Sequence, residues 1–258
     1  MRIAAFQCAG GGLDLAARLE RLELAVGGTE CDLVVTPELF LSGYDVGDEI
    51  HGCAEPQDGK YLTIVGALAR RLGTAIVYGY PERDGETLYN AAACVDCDGN
   101  LIANHRKLLL PPGFEARYFS PGCGGTVFDL GGIRFGMLIC YDAEFPESVR
   151  AVAEAGADVV LVPTALFNEW RTVAFQMMPT RAFENGVWFV YANHAGREGT
   201  ATYLGASCIV KPNGEDAARA GPTETLITAE LDFSDLSKIR KRLPYVTDIA
   251  SLRRKLGD

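Results

Sequence analysis

Three residues of the sequence supply a nucleophile, a base and a cation, and each comes directly after an apolar run. They are Cys140, Glu38 and Lys107. A cysteine thiol reacts as a nucleophile once it becomes a thiolate, and a neighbouring base or positive charge promotes that change. Glu38 is suited to act as the base and Lys107 as the cation. Together the three residues predict nucleophilic catalysis by Cys140.

Each residue also has an interpretation without chemistry. Cys140 alone is typical of core packing, Glu38 of a carboxylate at a helix N-terminus, and Lys107 of a surface charge. Taken separately, they indicate only an α/β domain. A cysteine–histidine dyad is the alternative catalytic interpretation. Its candidates are His105, two residues before Lys107 and therefore on the same side of a strand, and His194, which follows another strand end.

The elements that must position these side chains follow from the spacing of apolar residues. Helical spacing predicts helices over 13–26, 59–72, 145–155, 170–184 and, as the last helix, 234–243. Apolar runs between Gly and Pro predict strands over 2–8, 32–38, 74–80, 87–97, 101–107, 126–130, 133–139, 159–163, 187–193, 203–211 and 224–232. Strands alternate with helices, but several pair through tight turns. This combination predicts mixed sheets with helices on their faces.

Two segments have the form of functional sites. Residues 138–142 join a strand to a helix, which is a geometry that exposes a nucleophile on a rigid turn. Residues 108–125 contain the runs Pro-Pro-Gly and Pro-Gly-Cys-Gly-Gly, and are predicted to form a long loop. Long loops in compact domains usually carry function.

Composition limits the class of protein. The chain has 258 residues, of which 48% are hydrophobic and 22% charged, and this excludes disordered and fibrous proteins. The net charge of −10 argues against a nucleic-acid partner, because phosphate binding needs clustered Lys and Arg. No apolar run approaches the ~20 residues that span a bilayer, and the first residues lack the pattern of a signal peptide. We therefore expect no membrane association and a soluble, cytoplasmic protein.

Eight cysteines could indicate disulfides or a metal site, but their distribution favours neither. They are scattered over a chain much longer than a disulfide-stapled mini-domain. Cys94 and Cys97 have CxxC spacing, yet no second pair completes the four ligands of a zinc site. The motif runs into a turn at 98–100, whereas a redox CxxC opens a helix. No metal is expected.

Three segments of the sequence resemble the signature segments of the nitrilase superfamily of carbon–nitrogen hydrolases. They are Thr36-Pro-Glu-Leu-Phe40, His105-Arg-Lys-Leu-Leu109 and Leu138-Ile-Cys-Tyr-Asp-Ala-Glu-Phe-Pro-Glu147. Their order and approximate intervals also resemble those of the family. The resemblance covers nearly the whole chain, including residues 1–7 and 181–185.

The resemblance implies a four-layer α-β-β-α sandwich with two mixed β-sheets. Residues 1–258 would form a single carbon–nitrogen hydrolase domain, paired into a homodimer or larger homo-oligomer. The implied catalytic triad is Glu38, Lys107 and Cys140. Glu115, eight positions after Lys107, matches a second glutamate of the family, although its position is also that of an exposed loop carboxylate.

The mechanism that the resemblance implies is hydrolysis of a small-molecule amide through a thioester. Glu38 takes the thiol proton of Cys140, and Lys107 with the backbone N–H of Tyr141 stabilises the oxyanion. Ammonia leaves, and water activated by Glu38 hydrolyses the thioester. Glu115 holds the amide nitrogen or orients Glu38 and Lys107. No cofactor is required.

The residues after Cys140 favour one branch of the family. Tyr141 and Asp142 resemble the amidase-like branches, whereas Trp-Glu is common in true nitrilases. The alternative is hydrolysis of an N-carbamoyl amine or amino acid. The decarbamoylating branches, however, often carry an Arg soon after the cysteine. Here Glu144 stands in that stretch. It would repel an acidic substrate and suit an amine-bearing or neutral one, or else serve as a helix N-terminal carboxylate.

Residues after other strand ends are candidates for an apolar acyl pocket. The predicted substrate-binding residues are Thr164 and Phe167 beside Tyr141 and Glu144, and the wider apolar set adds Leu39, Phe40 and Leu166. A catalytically silent scaffold of the same fold is the non-enzyme alternative. The presence of Glu38, Lys107, Cys140 and Glu115 together argues against a scaffold.

Overall fold

A computed structural model describes residues 1–257 of the protein, apart from the side chain of Asp235. Asp258, the last residue of the predicted domain, lies outside this range. The described residues form fourteen strands and eight α-helices. The strands are β1 (Arg2–Gln7), β2 (Leu33–Val35), β3 (Ala75–Asp84), β4 (Thr87–Val95), β5 (Leu101–Arg106), β6 (Thr126–Leu130), β7 (Ile133–Met137), β8 (Val159–Pro163), β9 (Trp188–Ala192), β10 (Arg197–Glu198), β11 (Ala201–Thr202), β12 (Cys208–Val210), β13 (Asp216–Arg219) and β14 (Thr225–Glu230). The α-helices are α1 (Leu15–Val26), α2 (Ile50–Cys53), α3 (Lys60–Leu72), α4 (Phe114–Tyr118), α5 (Pro146–Glu154), α6 (Met178–Asn185), α7 (Phe233–Arg242) and α8 (Tyr245–Leu256).

Two six-stranded mixed sheets carry the fold, in the orders β14-β1-β2-β3-β4-β5 and β13-β12-β9-β8-β7-β6. In the first sheet β1, β2 and β3 are parallel, and in the second β7, β8 and β9 are parallel. All other neighbours are antiparallel. The two sheets therefore share one pairing pattern, although the sequence shows no internal repeat. A further pair, β10 and β11, forms a short ribbon.

The packed layers confirm the predicted α-β-β-α sandwich. One apolar cluster lies between the two sheets and includes Val35 and Val77 of the first sheet and Met137 and Leu161 of the second. A second cluster joins the first sheet to α1 and α3, and a third joins the second sheet to α5 and α6. No helix within residues 1–257 is long and apolar enough to cross a bilayer.

Two predicted elements differ from the structure for backbone reasons. The predicted strand over 203–211 is extended in a sheet only at β12, because Gly205 and Ala206 both have positive φ, 68° and 55°. The predicted helix over 170–184 is divided into a 3₁₀ turn, a π turn at Val173–Met177 and α6. Pro179, near the start of α6, has no N–H for a regular helical hydrogen bond, so the preceding turn widens.

Three α-helices were not predicted, and the first of them is the four-residue helix α2. The segment 108–125 contains α4, so it is not entirely a loop. The helix predicted as the last, over 234–243, corresponds to α7 and is followed by α8. Pro244 separates them and ends the apolar periodicity from which α7 was predicted.

The end of β2 passes close against β3, and this contact fixes the loop that carries Glu38. A Cβ on Gly79 would lie 2.5 Å from both the Pro37 oxygen and the Leu39 nitrogen, so only glycine fits. Leu39 has φ +49°, a left-handed conformation that costs a non-glycine residue about 1–2 kcal/mol. The chain therefore turns sharply directly after Glu38, and the Glu38 N–H donates to the Thr164 oxygen in the other sheet at 3.3 Å.

We expect Gly79→Ala to lower the free energy of unfolding by about 1–3 kcal/mol, the usual cost of overpacking, and to lower kcat by displacing the Glu38 loop. Urea denaturation and steady-state kinetics measure the two effects. Gly28→Ala is the matched control, because a Cβ there would meet nothing within 4 Å. Equal stability of the two variants would contradict the packing argument.

Candidate active site

The four side chains predicted to act together come from four separate segments and meet at one buried point. Glu38 follows β2, Lys107 follows β5, Cys140 follows β7, and Glu115 lies in α4. Glu38 and Lys107 are fully buried, Glu115 is 1% exposed and Cys140 is 8% exposed. Glu115 is therefore not an exposed loop carboxylate.

The Lys107 ammonium joins the two glutamates. Its Nζ lies 2.7 Å from Glu38 Oε1 and 2.6 Å from Glu115 Oε1. The Asn90 side-chain amide donates to the same pair, at 2.7 Å to Glu38 Oε1 and 3.0 Å to Glu115 Oε2. The Tyr44 hydroxyl donates to Glu115 Oε1 at 2.6 Å. These contacts hold both carboxylates in fixed orientations.

One oxygen of this cluster is left without a partner. Glu38 Oε2 is buried and makes no hydrogen bond within residues 1–257, although Oε1 of the same carboxylate accepts two. A buried acceptor without a donor is costly unless a partner arrives during function. The free oxygen is therefore available to take a proton.

Burial and charge give Glu38 and Lys107 unusual protonation behaviour. Burial raises the pKa of Glu38 to about 7, against the opposing effect of the Lys107 ammonium. For Lys107, burial by itself lowers the pKa, but the nearby Glu115 and Glu38 carboxylates outweigh it, so the pKa lies well above its usual value. Lys107 is a permanent cation, and Glu38 changes charge near neutral pH.

Cys140 lies at a sharp turn from strand to helix, as the sequence predicts. It has φ +46° and begins a 3₁₀ turn, Cys140–Glu144, that leads into α5. Burial and the Glu38 carboxylate raise the pKa of the thiol well above its usual range, while Lys107 and a hydrogen bond with Thr164 oppose the rise. The resting thiol is therefore protonated and needs a base at the moment of attack.

Asp142 ties the Cys140 turn to the segment after Lys107. Its Oδ1 accepts the N–H groups of Leu108 and Leu109, each at 3.0 Å, and its Oδ2 accepts the N–H of Ile139 at 3.1 Å. His105 Nε2 lies 3.3 Å from the same Oδ2. The buried Asp142 carboxylate thus fixes the position of the Cys140 turn relative to the segment that follows Lys107.

The structure shows that neither histidine is a dyad partner of Cys140. His105 contacts Asp142 and, through Nδ1, the Thr126 hydroxyl at 3.0 Å. His194 Nε2 lies 2.7 Å from the carbonyl oxygen of Glu38, where it donates. Burial lowers the pKa of His194 to about 4, so it is neutral at neutral pH. The dyad interpretation is wrong because both rings are held by other partners.

The four residues predicted to bind substrate are buried to different extents. Thr164 is buried and its hydroxyl bonds to the Tyr191 hydroxyl at 2.9 Å. Tyr141 is half-buried and packs edge-to-face on Phe145. Its N–H lies in the first helical turn, where backbone donors have no acceptor of their own. Glu144, at the end of this turn, is half-buried too.

Phe167 and Leu39 share an apolar cluster that Tyr44 and Tyr203 also enter. The Phe167 ring lies 6.0 Å from that of Tyr44 and 5.6 Å from that of Tyr203. Phe167 is therefore beside the residue that binds Glu115.

Some residues of the wider apolar set and the CxxC motif lie elsewhere. Phe40 packs in the layer between the first sheet and its helices, and Leu166 in the corresponding layer of the second sheet. Both predictions of pocket lining are wrong, because these side chains point away from the site.

Cys94 is buried between the sheets and Cys97 is exposed. Residues 1–257 contain no group of His, Cys, Asp or Glu arranged to hold a metal ion.

Sequence reasoning missed the contributions of Tyr44, Asn90 and Asp142. Asn90 had a detectable signal, since it is a polar residue at a fully buried position in the otherwise apolar strand β4. Tyr44 and Asp142 had weaker signals, because each acts through a contact with a segment more than 30 residues away.

Comparison with known proteins agrees with this geometry. A profile of carbon–nitrogen hydrolases matches residues 2–241. The chain belongs to the carbon–nitrogen hydrolase family. It is 43% identical over 253 residues to a hydrolase in the pqqF 5′ region of Pseudomonas protegens, with 96% of this chain and 88% of that protein covered. It is 34% identical to an (R)-stereoselective amidase of Pseudomonas sp., with 96% and 91% covered.

Among solved structures, the carbon–nitrogen hydrolase chain is similar to an amidase of the nitrilase superfamily from Nesterenkonia AN1. The two are 33% identical and superpose with a TM-score of 0.86 over 99% of this chain and 97% of that one. Other structures of that amidase show it in complex with butyramide, and with the acetamide moiety of fluoroacetamide added covalently at the active-site cysteine. The predicted superfamily is confirmed.

We expect Tyr44→Phe to lower kcat/KM by about tenfold or more, because hydrogen bonds to charged groups contribute about 1.5–3 kcal/mol and Glu115 would lose one. The measurement is steady-state kinetics on the best amide found. Tyr61→Phe is the control, since its hydroxyl donates to the Cys53 oxygen away from the site. A Tyr44→Phe enzyme as active as the control would show that this bond does not matter.

Proposed function

We propose that the protein is a cysteine-dependent amidase that hydrolyses a carboxamide to a carboxylic acid and ammonia through a thioester on Cys140. The observation that carries the proposal is the Glu38 carboxylate. One of its oxygens is held by Lys107 and Asn90, and the other has no partner within residues 1–257. Burial and the Glu38 charge together raise the pKa of the Cys140 thiol. Membership of the family and similarity to two amidases support a hydrolase that acts on amides.

Acylation begins when Glu38 accepts the thiol proton as the Cys140 sulfur attacks the amide carbonyl carbon. The carbonyl oxygen takes the negative charge of the tetrahedral intermediate, with Lys107 and the N–H of Tyr141 as donors. Preorganised donors of this kind contribute about 3–4 kcal/mol each. Glu38 then gives its proton to the nitrogen, the carbon–nitrogen bond breaks, and ammonia leaves the thioester.

Deacylation uses the same groups in reverse. Glu38 takes a proton from water as the water oxygen attacks the thioester carbon, and the carbon–sulfur bond breaks. The sulfur recovers its proton and the carboxylic acid departs. A carboxyl group with a pKa of about 7 serves as well as an acid as it does as a base, which both half-reactions require.

Glu115 and Asn90 have supporting parts in this scheme. Glu115 accepts hydrogen bonds from Lys107, Tyr44 and Asn90. It therefore holds the Lys107 ammonium between the two carboxylates, so that Glu38 is not the only partner of Lys107. A second carboxylate near Glu38 also raises the pKa of Glu38, which a lone lysine partner would depress. Burial and the Glu115 charge together give Glu38 the proton affinity that general-base catalysis needs.

The test of function is ammonia release from small amides, N-carbamoyl amines and amino acids, and nitriles. We expect amides to be hydrolysed and Cys140→Ala to lose this activity by several orders of magnitude, because no other nucleophile is in place. Mass spectrometry of the quenched reaction should show the acyl group on the peptide that contains Cys140. Release from carbamoyl compounds or nitriles alone would assign a different branch, and undiminished activity of Cys140→Ala would refute the mechanism.

The pH dependence of kcat/KM tests the role of Glu38. Protonated Glu38 cannot accept the thiol proton, so activity falls as the pH drops through the raised pKa of about 7. We expect kcat/KM to decline about tenfold per pH unit below that value and to level above it. An acid limb near the ordinary glutamate pKa of about 4.3 would contradict the assignment.

A further inference from the structure

Glu144 is a half-buried carboxylate with no donor of its own. Its side chain makes no hydrogen bond and no ion pair with any residue in the range 1–257. The other carboxylates around the site, Glu38, Glu115 and Asp142, each accept at least two hydrogen bonds. A partly desolvated carboxylate without a donor is costly, and a ligand that donates to it relieves that cost.

A helix-terminal role does not account for this side chain. Helix α5 begins at Pro146 with Phe145 as its N-cap residue, and the acidic residue of its first turn is Glu147. No backbone N–H of α5 donates to the Glu144 carboxylate. The interaction with the helix dipole that the sequence offered as an alternative therefore belongs to Glu147.

The backbone of Glu144 is held in place by Arg181. The guanidinium donates from Nε to the Ala143 oxygen at 3.2 Å and from Nη2 to the Glu144 oxygen at 2.6 Å. Its Nη1 donates to Glu184 at 2.9 Å. Because all three nitrogens are engaged elsewhere, Arg181 orients Glu144 without forming an ion pair with its carboxylate.

Glu144 shares the electrostatic environment of the nucleophile. It is the last residue of the turn that begins at Cys140. Burial raises the pKa of its carboxyl group, and the charges of Lys107 and Arg181 oppose that rise. Its charge in turn contributes to the raised pKa of Tyr191, whose hydroxyl bonds to Thr164 beside Cys140.

The charges of the site favour a cation at this position. The carboxylates of Glu38, Glu115 and Glu144 lie around the Lys107 ammonium, which is bonded to the first two. The Arg181 guanidinium also acts on Glu144, but it is itself paired with Glu184. An anionic acyl group would be repelled by these carboxylates, whereas a positive group would meet a carboxylate that accepts no hydrogen bond within residues 1–257.

We propose that Glu144 binds an ammonium group on the acyl part of the substrate, so that the enzyme acts on amides carrying a protonated amine a few bonds from the carbonyl carbon. The proposal rests on the amidase function above and names its substrate class. The ammonium supplies the donors that Glu144 lacks, and the contact orients the carbonyl carbon toward Cys140.

The test compares amides in which an ammonium replaces a terminal methyl group. Glycinamide, 3-aminopropanamide and 4-aminobutanamide are paired with propanamide, butanamide and pentanamide at pH 7. In the unmodified enzyme we expect kcat/KM for at least one amine to exceed that of its alkyl partner by about tenfold or more. In Glu144→Gln we expect this ratio to fall about tenfold, mainly through KM. Glu147→Gln, an exposed carboxylate three residues on, is the matched control and should keep the ratio.

A binding measurement separates this proposal from the amidase proposal. Calorimetry on Cys140→Ala, with and without Glu144→Gln, gives the affinity ratio of each amine to its alkyl partner. Active hydrolysis with no preference for the amines, or a ratio unchanged by Glu144→Gln, would overturn the role of Glu144 and leave the amidase function intact. A Glu144-dependent preference in binding without any hydrolysis would support Glu144 as the ammonium site and overturn the amidase function.

Discussion

The structure depends on one buried cation held between two buried carboxylates. The Lys107 ammonium contacts Glu38 and Glu115, and all three side chains are almost completely withdrawn from solvent. Charges in such a position are stable only when every one is paired and hydrogen-bonded. Burial is the main reason that Glu38 binds a proton more tightly than an ordinary glutamate, and the nearby Glu115 carboxylate adds to the effect while the Lys107 ammonium opposes it.

The surrounding structure is organised to keep that arrangement rigid. Asn90 and Tyr44 complete the hydrogen bonds of the carboxylates, and Glu198 in turn accepts the backbone N–H of Tyr44 at 2.9 Å. Glu198 is itself paired with the buried Arg18 at 3.0 Å. The ion cluster is thus supported by a second buried ion pair, so catalytic geometry does not rely on mobile surface side chains.

The two sheets bring the chemical groups together through their common pattern. Each contributes parallel central strands, and the ends of those strands open toward the same region. Glu38 follows a central strand of one sheet, and Cys140 and Thr164 follow central strands of the other. The bond from the Glu38 N–H to the Thr164 oxygen joins the two strand ends directly. Glu38 and Cys140 therefore follow strands of different sheets, and the apolar packing between the two sheets fixes their relative position.

The sequence by itself predicted the layered fold, because apolar periodicity is local, and it identified Glu38, Lys107 and Cys140 as the candidate reacting groups, because three short segments carry them. Asn90 was detectable in principle as a polar residue in an apolar strand. Tertiary structure alone decided that Glu115 is buried, that His105 and His194 have positioning contacts, and that Phe40 and Leu166 belong to helix–sheet layers.

The physical reason is that these properties are set by partners distant in the chain. Burial, hydrogen bonding and proton affinity depend on which groups approach from other segments, and no local pattern encodes that approach. The helix boundaries near Pro179 and Pro244 have a local cause instead, because proline has no N–H to donate within a helix. The sequence thus predicted which groups react, and the tertiary structure determines their burial, their pKa and their contacts.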